Sequence, residues 1–113
     1  MTQAKSARLG ASLAALADDN RRAVIHALLE RPRRAGELAQ ALALTPPALS
    51  RHLRILRNAG LVKEEDDADD ARVRIYSVRE PGFRPLRNWL ADVESYWSAQ
   101  LEAFKAHAEG KHR

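Results

Sequence analysis

The sequence predicts a mainly α-helical fold with one small β-hairpin, and three observations predict it. Apolar residues recur every three or four positions in four short segments before residue 60. After Gly60 the period shortens to two, over two runs separated by an acidic segment. From residue 84 the helical spacing returns and is sustained to residue 108. With 113 residues the chain has the length of one domain, 1–113, and is too short for two ordinary ones.

Each element has a local cause. In the first helix Leu9, Leu13 and Leu16 stand at helical spacing within Arg8–Ala17. Asp18 or Asp19 can cap a second helix, whose apolar face is Val24, Ile25, Leu28 and Leu29, and Pro32 stops it. A short third helix, about 35–43, buries Leu38, Ala39 and Leu42. Thr45 before Pro46 and Pro47 starts the fourth. Its hydroxyl satisfies a free backbone N–H, and proline is tolerated where the N–H would have no partner anyway. That helix runs to about Ala59, and Gly60 stands where a left-handed cap is expected. Leu61–Glu64 and Arg72–Val78 read as two strands, the second with Val73, Ile75 and Ser77 on one face. Pro81-Gly82 breaks the pattern before the long last helix. The order α-α-α-α-β-β-α is a winged helix-turn-helix layout, with the helix-turn-helix at about 35–59, the wing at 61–78 and a terminal helix at 84–108.

Composition narrows the function. Apolar residues at 45% and charged residues at 30% suit a globular chain rather than a disordered one. No apolar run approaches the ~18 residues of a membrane span. Met1-Thr2-Gln3-Ala4-Lys5 lacks a basic-then-apolar secretory layout, so a soluble cytoplasmic protein without a membrane partner is expected. Zero cysteines exclude disulfides, thiolate metal sites and a cysteine nucleophile. Ser50 and His52 are two apart on a helix, about 200° around its axis, and no phosphate loop, nucleophile elbow or HExxH is present. An enzyme is not expected, and no cofactor is implied.

The net charge is +4, and arginine outnumbers lysine fifteen to four. Two causes stay open for that total, an anionic partner and a GC-rich genome. The distribution says more. Leu38 to Lys63 contains no acid, yet holds Arg51, Arg54, Arg57 and Lys63, whereas six acids crowd Glu64 to Asp70. On the fourth helix Leu49, Leu53 and Leu56 share one face and pack inward. Pro47, Ala48, Arg51, Arg54 and Asn58 lie opposite, flanked by Ser50, His52 and Arg57. In a helix-turn-helix the N-terminal residues of this helix reach base edges in the major groove. Arg51, with Pro47 and Ala48, is expected to read bases, since arginine grips guanine bidentately. Thr45 caps the helix at the interface, and Ser50, His52, Arg54 and Arg57 are expected to hold phosphates.

Ser50-Arg51-His52-Leu53, followed by Leu56 and then Ala59-Gly60-Leu61-Val62, closely resembles the ArsR family of bacterial winged-helix repressors. Ala15-Leu16-Ala17-Asp18-Asp19-Asn20-Arg21-Arg22 is similar to that family's approach to the second helix, and the resemblance covers about residues 10 to 105. It implies a homodimeric transcriptional regulator, a repressor that binds a pseudo-palindromic operator in double-stranded DNA and is released by an effector. It also implies that the first and last helices build the dimer interface, through Leu9 and Leu13 with Leu86, Leu90, Val93, Trp97, Leu101 and Phe104. That stripe is wider than one small core can cover.

Metal sensing is not expected. The family's third-helix thiolate site reads Glu-Leu-Cys-x-Cys, and here Glu37-Leu38-Ala39-Gln40-Ala41 puts alanine at both thiolate positions. The last-helix site aligns with Glu94, Tyr96, His107 and Gly110, leaving one acid and one histidine. His107 and His112, five apart, pair poorly on a helix, and His26 reads as a surface or satisfied core residue. A small-molecule effector is open, including an organic ligand near Trp89, Tyr96 and Trp97, and so is none. The wing departs from the family pattern. Its acids repel phosphate, leaving Arg72 and Arg74 as the wing's DNA contacts; the acidic tip folds away, pairs with those arginines, or discourages nonspecific binding. The alternative function is a protein-docking module, its basic helix meeting an acidic protein partner.

Overall fold

The structure, a computed structural model, describes residues 2–110; His112 lies outside them. The elements are α1 (Thr2–Ala15), α2 (Asp19–Glu30), β1 (Arg33–Arg34), α3 (Ala35–Leu42), α4 (Pro46–Asn58), β2 (Val62–Asp66), β3 (Arg74–Val78), a 3-10 turn (Glu80–Phe83) and α5 (Arg84–Gly110). This is the expected mainly helical, winged layout with one addition. Arg33–Arg34 pairs antiparallel with β3, Arg33 opposite Tyr76, so the hairpin becomes a three-stranded sheet in the order β1-β3-β2. Two residues between Pro32 and a helix show no periodicity, and only the partner strand reveals them as a strand.

The caps work as their chemistry requires. The Asp18 carboxylate accepts the N–H groups of Asn20 at 2.8 Å and Arg21 at 3.1 Å, satisfying donors left free by the helix. The Arg21 amide bond, chiefly, holds that carboxyl below its ordinary range. Thr45 Oγ1 accepts from the Ala48 N–H at 3.3 Å, with Pro46 in the first turn. Ala43 takes a left-handed conformation (φ 54°) to end α3, and Gly60 does so after α4 (φ 78°).

The core gathers Ala15, three residues of α2, Leu38 of α3, three leucines of α4, and Leu61 and Val62 at the root of the wing. Val24, Leu38, Leu56 and Leu61 lose all contact with water. Each such side chain contributes about 1.5–3 kcal/mol of burial free energy. Leu29, expected on the inner face of α2, instead projects into solvent. β3 begins at Arg74 rather than Arg72, because Val73 closes the wing turn. Its N–H donates to the Asp70 carbonyl and its own carbonyl accepts from the Asp67 N–H. At the wing root a Cβ on Gly82 would run into the Gly60 carbonyl, so glycine is required for that approach.

α5 contributes no buried residue. Its 27 residues span about 40 Å, and the longest dimension of the molecule is 71 Å. The radius of gyration, 19.5 Å, far exceeds the ~13 Å of a compact chain this long. The helix lies beside α1 at its start and then runs out past the core.

Candidate nucleic-acid interface

α3, the left-handed Ala43, Leu44 and Thr45 deliver the N-terminus of α4 to the surface. The Leu44 N–H donates back to the Ala39 carbonyl at 2.9 Å and tightens the turn. Leu49, Leu53 and Leu56 anchor one side of α4 in the core. Thr45, Pro47, Ser50, Arg51, Arg54 and Arg57 are exposed on the other side, and Ala48 is half-buried. Arg51 and Arg54 have no carboxylate within ion-pair distance among the described residues. Both guanidinium forks therefore stand free in water, ready for phosphate or guanine.

His52 departs from the expectation that it holds a phosphate. It is only 6% exposed and lies with the buried leucines of α4. The Arg21 guanidinium stands 3.4 Å from its Nδ1, and since arginine can only donate, that nitrogen is the acceptor in this contact. Arg21 Nε also donates to the Ala15 carbonyl at 2.6 Å, tying the end of α1 to α4. The spacing carried the signal: His52 stands three residues after Leu49 and four before Leu56, on the apolar stripe itself.

The remaining predicted contacts are engaged with acids. Arg57 lies 2.5 Å from Glu64 of β2, and Glu64 also accepts the Tyr76 hydroxyl at 2.9 Å. Burial first, and then this carboxylate, raise the tyrosine's pKa. Arg74 pairs across the hairpin with Asp66 at 2.6 Å, in register, and Arg72 with Asp70 at 3.3 Å. Asp66 and Asp70 thus pair with the wing's own arginines, and Glu64 with an arginine of α4. Sequence reasoning missed the Arg57–Glu64 pair and also that of Arg34 with Asp67 at 2.5 Å. Asp67 is 7% exposed and accepts the Asp69 N–H at 2.9 Å; that amide bond, then Arg34, depress its pKa. An acid run shows no sign from sequence of which member turns inward. Among the described residues no group of three or more His, Cys, Asp or Glu side chains is placed to hold a metal ion, and no helix is long and apolar enough to cross a membrane.

A helix-turn-helix whose second helix offers free arginines, backed by a three-stranded wing, defines a DNA-binding protein of the winged helix-turn-helix class. Comparison with known proteins gives the particular family. Residues 18–64 match the family described as "Bacterial regulatory protein, arsR family". The chain is 36% identical over 90 residues to the "HTH-type transcriptional regulator Rv2034" of Mycobacterium tuberculosis, across 80% of this chain and 78% of that one. Its fold is similar to the "ArsR-like Transcriptional Regulator from Rhodococcus sp. RHA1", with a TM-score of 0.71 and 26% identity over 88% of this chain and 92% of the other. It is also similar to HlyU from Vibrio cholerae N16961, with a TM-score of 0.63 and 30% identity over 78% and 92% of the two chains. The chain belongs to the ArsR family of bacterial transcriptional regulators, whose members it matches are regulators and not enzymes.

Proposed function

We propose that this protein is a homodimeric repressor that places one α4 helix in each of two successive major grooves of a pseudo-palindromic operator. The observation that carries this reading is the pair of unpaired, exposed arginines, Arg51 and Arg54, on a helix whose reverse side is locked in the core. Arg51, Pro47 and Ala48 read bases, while Ser50 and Arg54 hold phosphates. Arg57, Arg72 and Arg74 reach phosphate only by exchanging Glu64, Asp70 and Asp66 for it, and His52 leaves the set.

Dimerisation rests on the stripe along α5. Leu90, Trp97, Leu101 and Phe104 are exposed, Leu86 and Val93 half-buried, and α1 adds Leu9 and Leu13 beside them. An isologous pairing of these helices covers the stripe and spaces two α4 helices about one DNA turn apart. Alanine at positions 39 and 41 supports a regulator that does not sense metal through the thiolate site, so zinc or arsenite should leave operator affinity unchanged.

The test is a salt titration of binding to the DNA upstream of the protein's own gene, beside a scrambled duplex. The expected result is a steep salt slope and at least ~10³-fold preference for the upstream fragment. Equal, weak binding to both duplexes would refute the operator reading and favour an acidic protein partner for α4.

A further inference from the structure

Of the fourteen arginines among the described residues, nine lie within 4.0 Å of a carboxylate and five do not. Two of the five are Arg51 and Arg54. The other three, Arg8 of α1, Arg79 after β3 and Arg84 at the start of α5, all line one cleft of about 1020 Å³. Asp92 is the sole acid among its lining residues. Arg79 leans over the corner where α4 ends, its Nη1 donating to the Gly60 carbonyl at 3.3 Å.

We propose that this cleft binds a small organic anion, with a carboxylate or phosphate head held by Arg8, Arg79 and Arg84 and an apolar body lying on Trp89. Guanidinium groups that share one cleft, none with a carboxylate within 4.0 Å among the described residues, favour an anion they can grip with paired N–H donors. The apolar lining of the same cleft supplies the other half of the recognition. Trp89 lines the cleft with 43% of its surface exposed, and Leu9 and Pro85 add to its apolar lining. DNA is not the anion. The cleft lies at the C-terminal end of α4, beside Asn58 and Gly60, roughly 13 Å along the helix from Arg51. Groove contacts are made from the other end.

The experiment uses the full chain carrying Trp97→Phe, which leaves Trp89 as the single tryptophan of the two. Phenyl phosphate is titrated while Trp89 fluorescence is followed, with benzyl alcohol and inorganic phosphate as separate probes. No DNA is present, so failure here leaves the operator reading untouched. The expected result is saturable binding of phenyl phosphate at millimolar concentrations or below, with benzyl alcohol giving no saturable change. Inorganic phosphate should bind more weakly, because it lacks the apolar body. Arg8→Ala and Arg84→Ala should each weaken phenyl phosphate by about tenfold or more, as expected for a charge-assisted hydrogen bond. Equal responses to benzyl alcohol, or unchanged affinity in both arginine variants, would overturn the proposal. Phosphate binding as tightly as phenyl phosphate would overturn the organic half of it. A shift of the monomer–dimer balance by those variants, with no binding of phenyl phosphate, would assign the arginines to acids of a second copy instead.

Discussion

Replacing Trp97 by alanine tests the proposed dimer separately from the fold. Trp97 is 59% exposed on α5, which adds nothing to the core, and its aromatic neighbour is Tyr96, edge-on at a centroid distance of 5.5 Å. A tryptophan presents up to about 250 Å², so about 150 Å² of this one faces water. At ~25 cal/mol per Å², covering that area is worth roughly 3–4 kcal/mol per copy, and an isologous interface covers it twice. Part of the area stays wet at the rim, and alanine retains some contact, so we take about 3 kcal/mol for the pair, or roughly a hundredfold in the dimer Kd. Sedimentation over a concentration series measures that constant, and a labelled operator duplex reads DNA affinity at the same protein concentrations. Both should weaken together, while the circular dichroism spectrum of the monomer stays unchanged. A dimer Kd within threefold of the parent protein, or a weakened dimer with full operator affinity, would refute the reasoning.

Arg51→Ala should cost about 1–3 kcal/mol on the operator and relax preference at one base pair, whereas Arg54→Ala should weaken all duplexes alike and lower the salt slope by about one. His52→Gln should leave that slope unchanged, because the ring faces Arg21 and not the DNA; a slope reduced by one would return His52 to the surface. Asp67→Asn tests the wing root through pH. The folded pKa of Asp67 is depressed, so its stabilisation is present above the ordinary carboxylate range and is lost as pH falls through the folded value. Thermal melts should show the variant less stable than the parent at neutral pH, with the gap closing below about pH 4; a gap independent of pH would remove Asp67 from that role. Gly82→Ala should destabilise by about 1–3 kcal/mol in denaturant unfolding, since its Cβ meets the Gly60 carbonyl, and an unchanged midpoint would mean the corner can relax.

The helices were legible because their causes are local. Asp18, Thr45 with its two prolines, and Gly60 act on backbone groups within a few residues, and each does in the fold what its position implied. The leucine spacing on α4 likewise placed its inner face, and the same spacing carried His52 inward with it. The exposed stripe on α5 was legible as an excess of apolar surface over what one small core can cover.

What stayed hidden depended on residues far apart in the chain. β1 exists because Tyr76 and Ile75 come alongside Arg33 and Arg34, not because of anything in those two arginines. The partners of Arg57, Arg34 and Arg74 stand seven to thirty-three residues away, and a charge run read along the chain cannot say which of its members meet. Arg8, Arg79 and Arg84 share a cleft only because α1 and α5 lie side by side. The sequence by itself determined the five helices, the hairpin, their order and the outward arginines of α4, since hydrogen-bonding caps and side-chain periodicity act over one or two turns. The tertiary structure alone decided which charges remain free, because neutralisation is a matter of distance in space.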